Sequence, residues 1–318
     1  MDTIKELGGY LELEHFSGRE YHEGLLALDS ARNALAYLIE ARSIKRLWIP
    51  SLLCGSVATV AKQNGVDINA YPIDEDFLPV RSSMDVEPDD YVYLVDYYGL
   101  LPDESISAAA AAYPGHLIVD EVMAFFRRPL PGVDTIYSCR KFFGVSDGAY
   151  LSTDASLDRE LERDESWDKM GFVLGRFERP ASEFYAESKK NNSRFRDHGV
   201  RLMSPITQNL LRAIDYEGVL DRRRRNFAVL RSGLDDVNKL CFPDPLGPFM
   251  YPFFMEEGRL VRSELHRKKI YVPMLWDWAE NAPGFAGLYA NDILPLPLDQ
   301  RYNEDDMARI VEVVRGLL

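Results

Sequence analysis

Motifs of several common protein classes are missing from this 318-residue sequence. No G-x-G-x-x-G follows the first predicted strand and no P-loop occurs, which disfavours a Rossmann dinucleotide site and a P-loop nucleotide site. The three cysteines, Cys54, Cys139 and Cys241, form no C-x-x-C pair and no Cys/His cluster at metal-ligand spacing. A structural zinc site is therefore not expected.

Basic residues and long apolar runs are also scarce. Lys and Arg number 37 against 51 Asp and Glu, which gives a net charge of −14. This balance argues against nucleic-acid binding, because neutralising phosphates requires clustered basic side chains. No apolar run approaches the length of a membrane span, and the amino-terminal segment has no signal-like apolar core. We expect a cytoplasmic protein that binds a small molecule and neither nucleic acid nor membrane.

Strand and helix patterns alternate through the first half of the chain. Helices are predicted within SLLCGSVATVAKQNG, closed by Gly65, and over residues 106–112. Short apolar runs predict six strands in RLWIP, INAYPID, YVYLVDYYG, HLIVDE, DTIYS and AYLS. The alternation predicts an α/β domain with a mostly parallel sheet and helices on both faces.

The pattern changes from about Met203. Residues 204–237 predict one long helix, in which the basic run 222–225 forms a solvated face, and residues 303–318 predict an amphipathic helix capped by Asn303. PFMYPFFM and KKIYVPML are typical of strands. We predict a large domain over residues 1–217 and a smaller α+β domain over residues 218–318.

Two side chains at predicted strand ends have the chemistry of a pyridoxal-phosphate site. Asp120 ends the HLIVD strand, where a carboxylate can pair with a protonated ring nitrogen and keep the cofactor ring an electron sink. Lys141 follows DTIYS, and burial there would lower its pKa, as a Schiff-base amine requires. Taken singly, an acid or a lysine at such a position is more often structural.

Two further segments can bind a phosphate. Ser138 lies three residues before Lys141, and its hydroxyl can donate to a phosphate oxygen. DSARNAL, residues 29–35, joins a strand to a helix, and a helix amino terminus offers unpaired N–H groups to an anion. The same segment also fits a simple capped helix. Asp96 with Asp120 is a conceivable acid–base couple, although no spacing singles it out.

Taken in order, these segments resemble the DegT/DnrJ/EryC1/StrS family of pyridoxal-phosphate aminotransferases from about Leu25 to the end. DSARNAL resembles the family's phosphate-binding helix start, WIPSLLCGSVATVA its second helix, IVDEVMAFF its acidic strand end, and YSCRKFFGVSDGAYL its lysine segment. HGVRLMSPITQNLLRAIDYEGVLDRRRRNF resembles the segment that usually reads N-Y-R-M, with its following helix. LPLPLDQRYNEDDMARIVEVV resembles the family's last helix.

The resemblance implies an aspartate-aminotransferase-like fold, a pyridoxal-phosphate cofactor and amino transfer to a keto-sugar, usually one linked to a nucleotide. It also implies a homodimer with active sites at the interface. Lys141 would be the Schiff-base lysine and Asp120 the partner of the ring nitrogen. The implied cofactor-binding set is Ser30, Ala31, Arg32, Cys54, Asp120, Met123, Ser138, Lys141 and Arg201, the last reaching the neighbour's site.

The sequence departs from the family pattern at three positions. Met123 stands where a glutamine usually bonds the ring hydroxyl, and Leu53 and Cys54 occupy the stretch that usually supplies a ring-stacking aromatic. Gly199 replaces the usual asparagine before the R-M pair. Two alternatives therefore stay open. One is the same fold with another pyridoxal-phosphate reaction, such as dehydration or elimination, and the other is a non-catalytic binding relative.

Overall fold

A seven-stranded sheet forms the centre of the protein. The structure is a computed structural model that describes residues 7–196 and 198–318. The strands are β1 (Leu26–Leu28), β2 (Arg46–Pro50), β3 (Asp67–Tyr71), β4 (Tyr91–Val95), β5 (Leu117–Asp120), β6 (Asp134–Ser138) and β7 (Ala149–Ser152). Their order is β1-β7-β6-β5-β4-β2-β3. The four neighbouring pairs from β3 to β6 are parallel, and β7 is antiparallel to β6 and β1. The predicted mostly parallel sheet is confirmed.

Helices cover the sheet and build the carboxy-terminal part. They are α1 (Ala31–Ala41), α2 (Gly55–Gln63), α3 (Asp103–Ala112), α4 (Gly171–Glu178), α5 (Tyr185–Arg194), α6 (Pro205–Leu211), α7 (Tyr216–Leu234), α8 (Gly258–Arg267), α9 (Phe285–Asp292) and α10 (Glu304–Arg315). Every residue of β4, β5 and β6 is buried, which explains their almost unbroken apolar runs. Within the described residues, no helix has the length and apolarity needed to cross a membrane.

The single long helix predicted for residues 204–237 is wrong. The chain forms α6 and α7 instead, and each helix has its own amino-terminal cap. The Ser204 hydroxyl accepts the backbone N–H of Thr207, and the Asp215 carboxylate accepts that of Gly218. A polar side chain that bonds the backbone two or three residues on competes with helix continuation, so Asp215 starts a new helix.

The strand predicted at KKIYVPML is also wrong. The small antiparallel sheet pairs β8 (Tyr251–Phe254) with β9 (Ile293–Leu296). In the KKIYVPML segment, Lys269 has a φ of +63° and the His266 ring takes the place of a strand partner. Its Nε2 lies 2.8 Å from the carbonyl oxygen and 3.1 Å from the nitrogen of Val272. The small α+β unit is nevertheless present, and the domain boundary near residue 217 stays a prediction.

Two helices lie in a region to which the sequence analysis assigned no element. Both α4 and α5 precede α6, and α5 is strongly polar, with only Asn191 buried. Its contacts with the rest of the chain explain why it forms. The Asn191 side chain donates to the carbonyl of Ser146 at 2.8 Å, and Asn192 accepts from two arginines of the sheet edge. Tertiary hydrogen bonds, rather than an apolar stripe, hold α5 in place.

Candidate active site

Several polar side chains lie at the carboxyl ends of the parallel strands. Asp96 follows β4, Asp120 is the last residue of β5, and Ser138 is the last residue of β6. A short 3₁₀ turn, Cys139–Lys141, comes directly after β6 and carries Lys141 to the same edge. Since ligands of open parallel sheets bind at the carboxyl ends of the strands, this edge is the candidate active site.

The side chain of Lys141 is half-buried. Its Nζ lies 5.1 Å from the centre of the Phe249 ring, and no described carboxylate lies within ion-pair distance. Burial lowers the pKa of Lys141 from its usual value. Four nearby charges modify that pKa, with Asp120 and Cys54 raising it and Arg140 and Arg32 lowering it. A larger neutral fraction makes the amine a better nucleophile.

Asp120 is buried and already accepts two hydrogen bonds. The Tyr93 hydroxyl donates to one carboxylate oxygen at 2.6 Å, and the backbone N–H of Val122 donates to the other at 3.0 Å. Burial raises the pKa of Asp120, and these two bonds and the charge of Lys141 oppose the rise. A carboxylate has about four acceptor positions, so Asp120 can still accept from a ring N–H.

Tyr93 is a site residue that the sequence analysis missed. It lies in the middle of β4 and pairs in register with Ile118, two residues before Asp120. Diagonal neighbours on adjacent strands are within reach of a long aromatic side chain. Only the strand register reveals this contact, because the sequence alone does not say which residue of one strand faces which residue of the next.

A buried ion cluster lies beside Asp120. Arg127 places its guanidinium 3.3 Å from an Asp96 carboxylate oxygen and 3.6 Å from a Glu121 carboxylate oxygen. Burial raises the pKa of both acids, and the negative charge of Asp96 raises that of Glu121 further. Each of the two carboxyls therefore binds its proton more tightly than it would in water, beside one guanidinium. Asp96 thus belongs to this supporting cluster rather than to an acid–base couple with Asp120.

The predicted phosphate segment forms the start of α1. The Ser30 hydroxyl accepts the backbone N–H of Asn33 at 3.2 Å, so Ser30 caps the helix. Ala31 and Arg32 then form its open first turn, which contains no acidic residue. The Ser138 hydroxyl has no hydrogen-bond partner among the described residues. The amino end of α1 lies next to the Lys141 loop, since the N–H of Gly148 donates to the Asp29 carbonyl at 2.6 Å.

The remaining predicted site residues have different surroundings. Met123 is buried, and Cys54 is exposed at the start of α2. The indole of Trp278 packs on the adjacent Gly55, so a side chain at that position would require the ring to move. Arg201 forms an ion pair with Glu162, at 3.1 Å, and its contact with a neighbouring subunit stays a prediction. The cofactor-binding roles of all nine residues likewise stay predictions.

A cavity of about 650 Å³ opens beside Lys141. The buried Arg223, which we expected on a solvated helix face, donates to the carbonyls of Pro248 and Phe249 and lies over the Phe142 ring. The basic and aromatic side chains that line the cavity are Arg140, Lys141, Arg176, Arg223, Arg301, Phe142, Phe143, Phe172, Phe177 and Tyr302. This concentration of positive charge contrasts with the acidic protein as a whole.

Residues 144–148 read G-V-S-D-G and match the G-x-S-x-G pattern of serine hydrolases. The structure argues against that chemistry. Ser146 is fully buried, and its hydroxyl has no hydrogen-bond partner among the described residues. Asp147 instead fixes the loop by accepting the backbone N–H and the hydroxyl of Ser204, each at 2.8 Å, together with the Thr207 hydroxyl. The segment is a rigid support for the Lys141 turn.

Solved structures of aminotransferases share this architecture. Spr1654 from Streptococcus pneumoniae in its PLP form is 14% identical, with 92% of this chain and 87% of that chain covered and a TM-score of 0.66. A DegT DnrJ EryC1 StrS aminotransferase from Brucella abortus is 16% identical, with 93% and 86% covered and a TM-score of 0.62. DesI, solved in the presence of its TDP-sugar product, is 16% identical, with 91% and 79% covered and a TM-score of 0.62.

This chain has the fold of these aminotransferases. The likeness extends over nine-tenths of its length, which confirms the predicted aspartate-aminotransferase-like architecture. No protein-family model and no curated protein matches the sequence. At these identities the likeness establishes the fold, and the chemistry has to be argued from the residues themselves.

Proposed function

We propose that this protein is a pyridoxal-phosphate-dependent aminotransferase acting on a nucleotide-linked keto-sugar or on a similar small carbonyl compound. The observation that carries the proposal is the position of Lys141, an amine without an ion pair among the described residues, at the same edge of the sheet as the buried Asp120. The donor set fits the cofactor. An amine without an ion pair can bind its aldehyde, Asp120 retains acceptor capacity for its ring nitrogen, and Arg32 and the start of α1 suit its phosphate.

Each residue of this set has a distinct task. Lys141 would hold the cofactor through Nζ, and the free amine could accept and return a proton at the same nitrogen. The carboxylate of Asp120 would favour a proton on the ring nitrogen, and the hydrogen bond from Tyr93 helps to keep Asp120 ionised. Pyridoxal phosphate, when bound, supplies the electron sink that makes a proton next to the substrate amine acidic.

The cavity beside Lys141 supports a phosphorylated sugar as the substrate. Arg140 and Arg176 line it, and guanidinium groups suit phosphate oxygens through paired hydrogen bonds. Aromatic rings in the wall offer apolar faces to a sugar or a base. DesI, which shares the fold, was solved with a TDP-sugar product. We therefore include a nucleotide-linked sugar in the proposed substrate class.

The assembly and location complete the proposal. We propose a cytoplasmic homodimer with its active sites at the interface, in which Arg201 contacts the phosphate or substrate of the neighbouring site. The proposed division into residues 1–217 and 218–318 places the cofactor site in the first unit. Sedimentation of the purified protein tests the dimer, because a monomer at micromolar concentration would contradict it.

The decisive experiment is a visible absorbance spectrum with added pyridoxal phosphate, before and after borohydride. We expect a yellow band that borohydride converts into a stable adduct, which mass spectrometry locates on Lys141. The Lys141→Ala variant should lack both the band and the adduct. Lys62→Ala removes an exposed lysine of α2 and serves as the matched control. A Lys62→Ala spectrum like that of Lys141→Ala, or an adduct on another lysine, would refute the assignment.

The reaction type is tested by adding amino donors to the yellow protein. Transfer from glutamate or glutamine should bleach the band, and a keto-sugar nucleotide should restore it. A band that forms but never exchanges an amino group would favour dehydration or elimination. The replaced ring contacts at Met123 and Cys54 motivate the third alternative, a non-catalytic binding relative, which predicts only the spectrum of free cofactor.

A further inference from the structure

Two arginines at the edge of the sheet converge on one neutral amide. Arg32, in the first turn of α1, donates to the Asn192 backbone carbonyl at 2.6 Å and to its side-chain oxygen at 3.1 Å. Arg140, the residue before Lys141, donates to the same side-chain oxygen at 3.1 Å. Neither guanidinium has a carboxylate within ion-pair distance among residues 7–196 and 198–318. Asn192 therefore supplies oxygen acceptors but no compensating charge.

The surroundings increase the positive potential at this point. Burial, together with the positive charges of Arg32 and Arg194, lowers the pKa of Arg140 to about 10. Asp29 is the acid nearest to the first residue of α1, and burial raises its pKa to about 7, so its negative charge is incomplete near neutral pH. Asp147 also faces Arg140 but is engaged by α6. Two like charges held together without a counter-ion are costly unless an anion joins them.

The geometry suits a tetrahedral oxyanion. Three N–H groups from two guanidiniums point toward one pair of oxygens, and the open backbone N–H groups of Ala31 and Arg32 lie at the same helix end. Both arginines are only half-buried and Asn192 is exposed, so a ligand can enter from solvent by displacing the asparagine side chain. Lys141 is the next residue after Arg140, which places the pair beside the candidate active site.

We propose that Arg32 and Arg140 form a phosphate-binding pair whose ligand is a phosphate monoester. In this structure the side-chain oxygen of Asn192 accepts the hydrogen bonds that the phosphate would accept. The Arg32 assignment deepens the proposed function, whereas Arg140 and Asn192 are new to the site. Two sources can supply the phosphate, namely the cofactor and a phosphorylated substrate. Phosphate binding itself requires neither the cofactor nor the Lys141 amine, so it can fail or succeed independently of the proposed reaction.

The first test is calorimetric titration of the cofactor-free protein with inorganic phosphate at constant ionic strength. We expect saturable binding that Arg140→Gln and Arg32→Gln each weaken by about tenfold, because each removes charge-assisted hydrogen bonds. Arg267→Gln is the matched control, since this exposed arginine of α8 lies outside the cavity and does not contact Asn192. Absence of binding to the wild type, or equal weakening by all three variants, would overturn the proposal.

Asn192→Ala should change the affinity for phosphate in the opposite direction. If the Asn192 side chain competes with the anion, its removal should strengthen phosphate binding by about threefold. If the hydrogen bonds from Arg32 and Arg140 to Asn192 are purely structural, phosphate binding should be unchanged or weaker. That result would contradict the inference that Asn192 competes with the phosphate. Lys141→Ala should keep phosphate binding even though it cannot hold the cofactor covalently, which separates this inference from the proposed function.

The source of the phosphate is distinguished by comparing pyridoxal with pyridoxal phosphate. If the pair holds the cofactor's phosphate, Arg140→Gln should weaken the binding of pyridoxal phosphate by about tenfold and leave the binding of pyridoxal unchanged. Inorganic phosphate should then compete with pyridoxal phosphate. If the pair holds a substrate phosphate, the cofactor-loaded protein should still bind inorganic phosphate, and Arg140→Gln should leave cofactor affinity unchanged. Either pattern supports the site and names its ligand.

Discussion

Replacing Gly148 with alanine tests how tightly the Lys141 loop is packed. Gly148 precedes β7, and its φ is +116°, a backbone conformation that residues with a Cβ rarely adopt. Its N–H donates to Asp29 and its carbonyl accepts from Cys139, so the residue joins β1 to the turn that carries Lys141. A Cβ there would lie 3.1 Å from Cys139 Cβ and 3.1 Å from Thr207 Cγ2.

The expected cost has two parts. Holding alanine at this φ costs about 1–3 kcal/mol. The two close contacts involve fully buried side chains that cannot turn away, and such overpacking costs about 1–3 kcal/mol. We therefore expect Gly148→Ala to lower the free energy of unfolding by about 4 kcal/mol. That loss is a large share of the free energy of unfolding of a typical domain, which is roughly 5–15 kcal/mol.

A double-mutant cycle separates the two parts. Thr207→Ser removes Cγ2 but keeps the hydroxyl that donates to Asp147. In the double variant, Thr207→Ser should recover about 1 kcal/mol of the steric cost and none of the backbone cost. Urea unfolding monitored by tryptophan fluorescence measures all four proteins. Additive effects of the two substitutions, or a loss below about 1 kcal/mol for Gly148→Ala, would refute the reasoning.

Gly55→Ala is the matched glycine control. A Cβ on Gly55 would lie 2.4 Å from the Trp278 ring, which is closer than either contact at Gly148. The ring is 63% exposed, however, and can move into solvent. Alanine is also about 1 kcal/mol better than glycine inside a helix. We expect a net change within about 1 kcal/mol, so the distance alone does not predict the cost.

Three smaller perturbations test other parts of the structure. Glu121 keeps its proton in the folded state but loses it above its usual pKa when unfolded, so stability should fall as the pH rises above about 4.5. Glu121→Gln should reduce that fall, whereas parallel curves of stability against pH for variant and wild type would contradict the raised pKa of Glu121. Asn303→Ala should cost about 1 kcal/mol in urea unfolding, because Asn303 and Asp306 form a capping box at α10, and Asn303→Gly should cost less. Tyr93→Phe should raise the pKa of Asp120 and weaken the binding of pyridoxal phosphate by about threefold to tenfold in a spectroscopic titration. Unchanged affinity would show that Tyr93 does not support Asp120.

Local patterns predicted the elements whose signals lie within a few neighbouring residues. The apolar runs of β4, β5 and β6, the Asn303 cap and the alternation of strands and helices all follow from side-chain size, polarity and spacing. Where local signals were ambiguous, the predictions failed. Asp215 divides a predicted helix, and the His266 ring replaces the partner of a predicted strand.

The sequence by itself determined the fold class and placed Asp120 and Lys141 at strand ends, since strand ends are a property of local pattern. Only the tertiary structure decided what surrounds them. Tyr93 reaches Asp120 through the strand register, and Arg140 meets Arg32 because α5 brings Asn192 across 52 residues of chain. Such contacts join residues far apart in sequence, so they arise from the packing of whole elements, and no spacing along the chain encodes them.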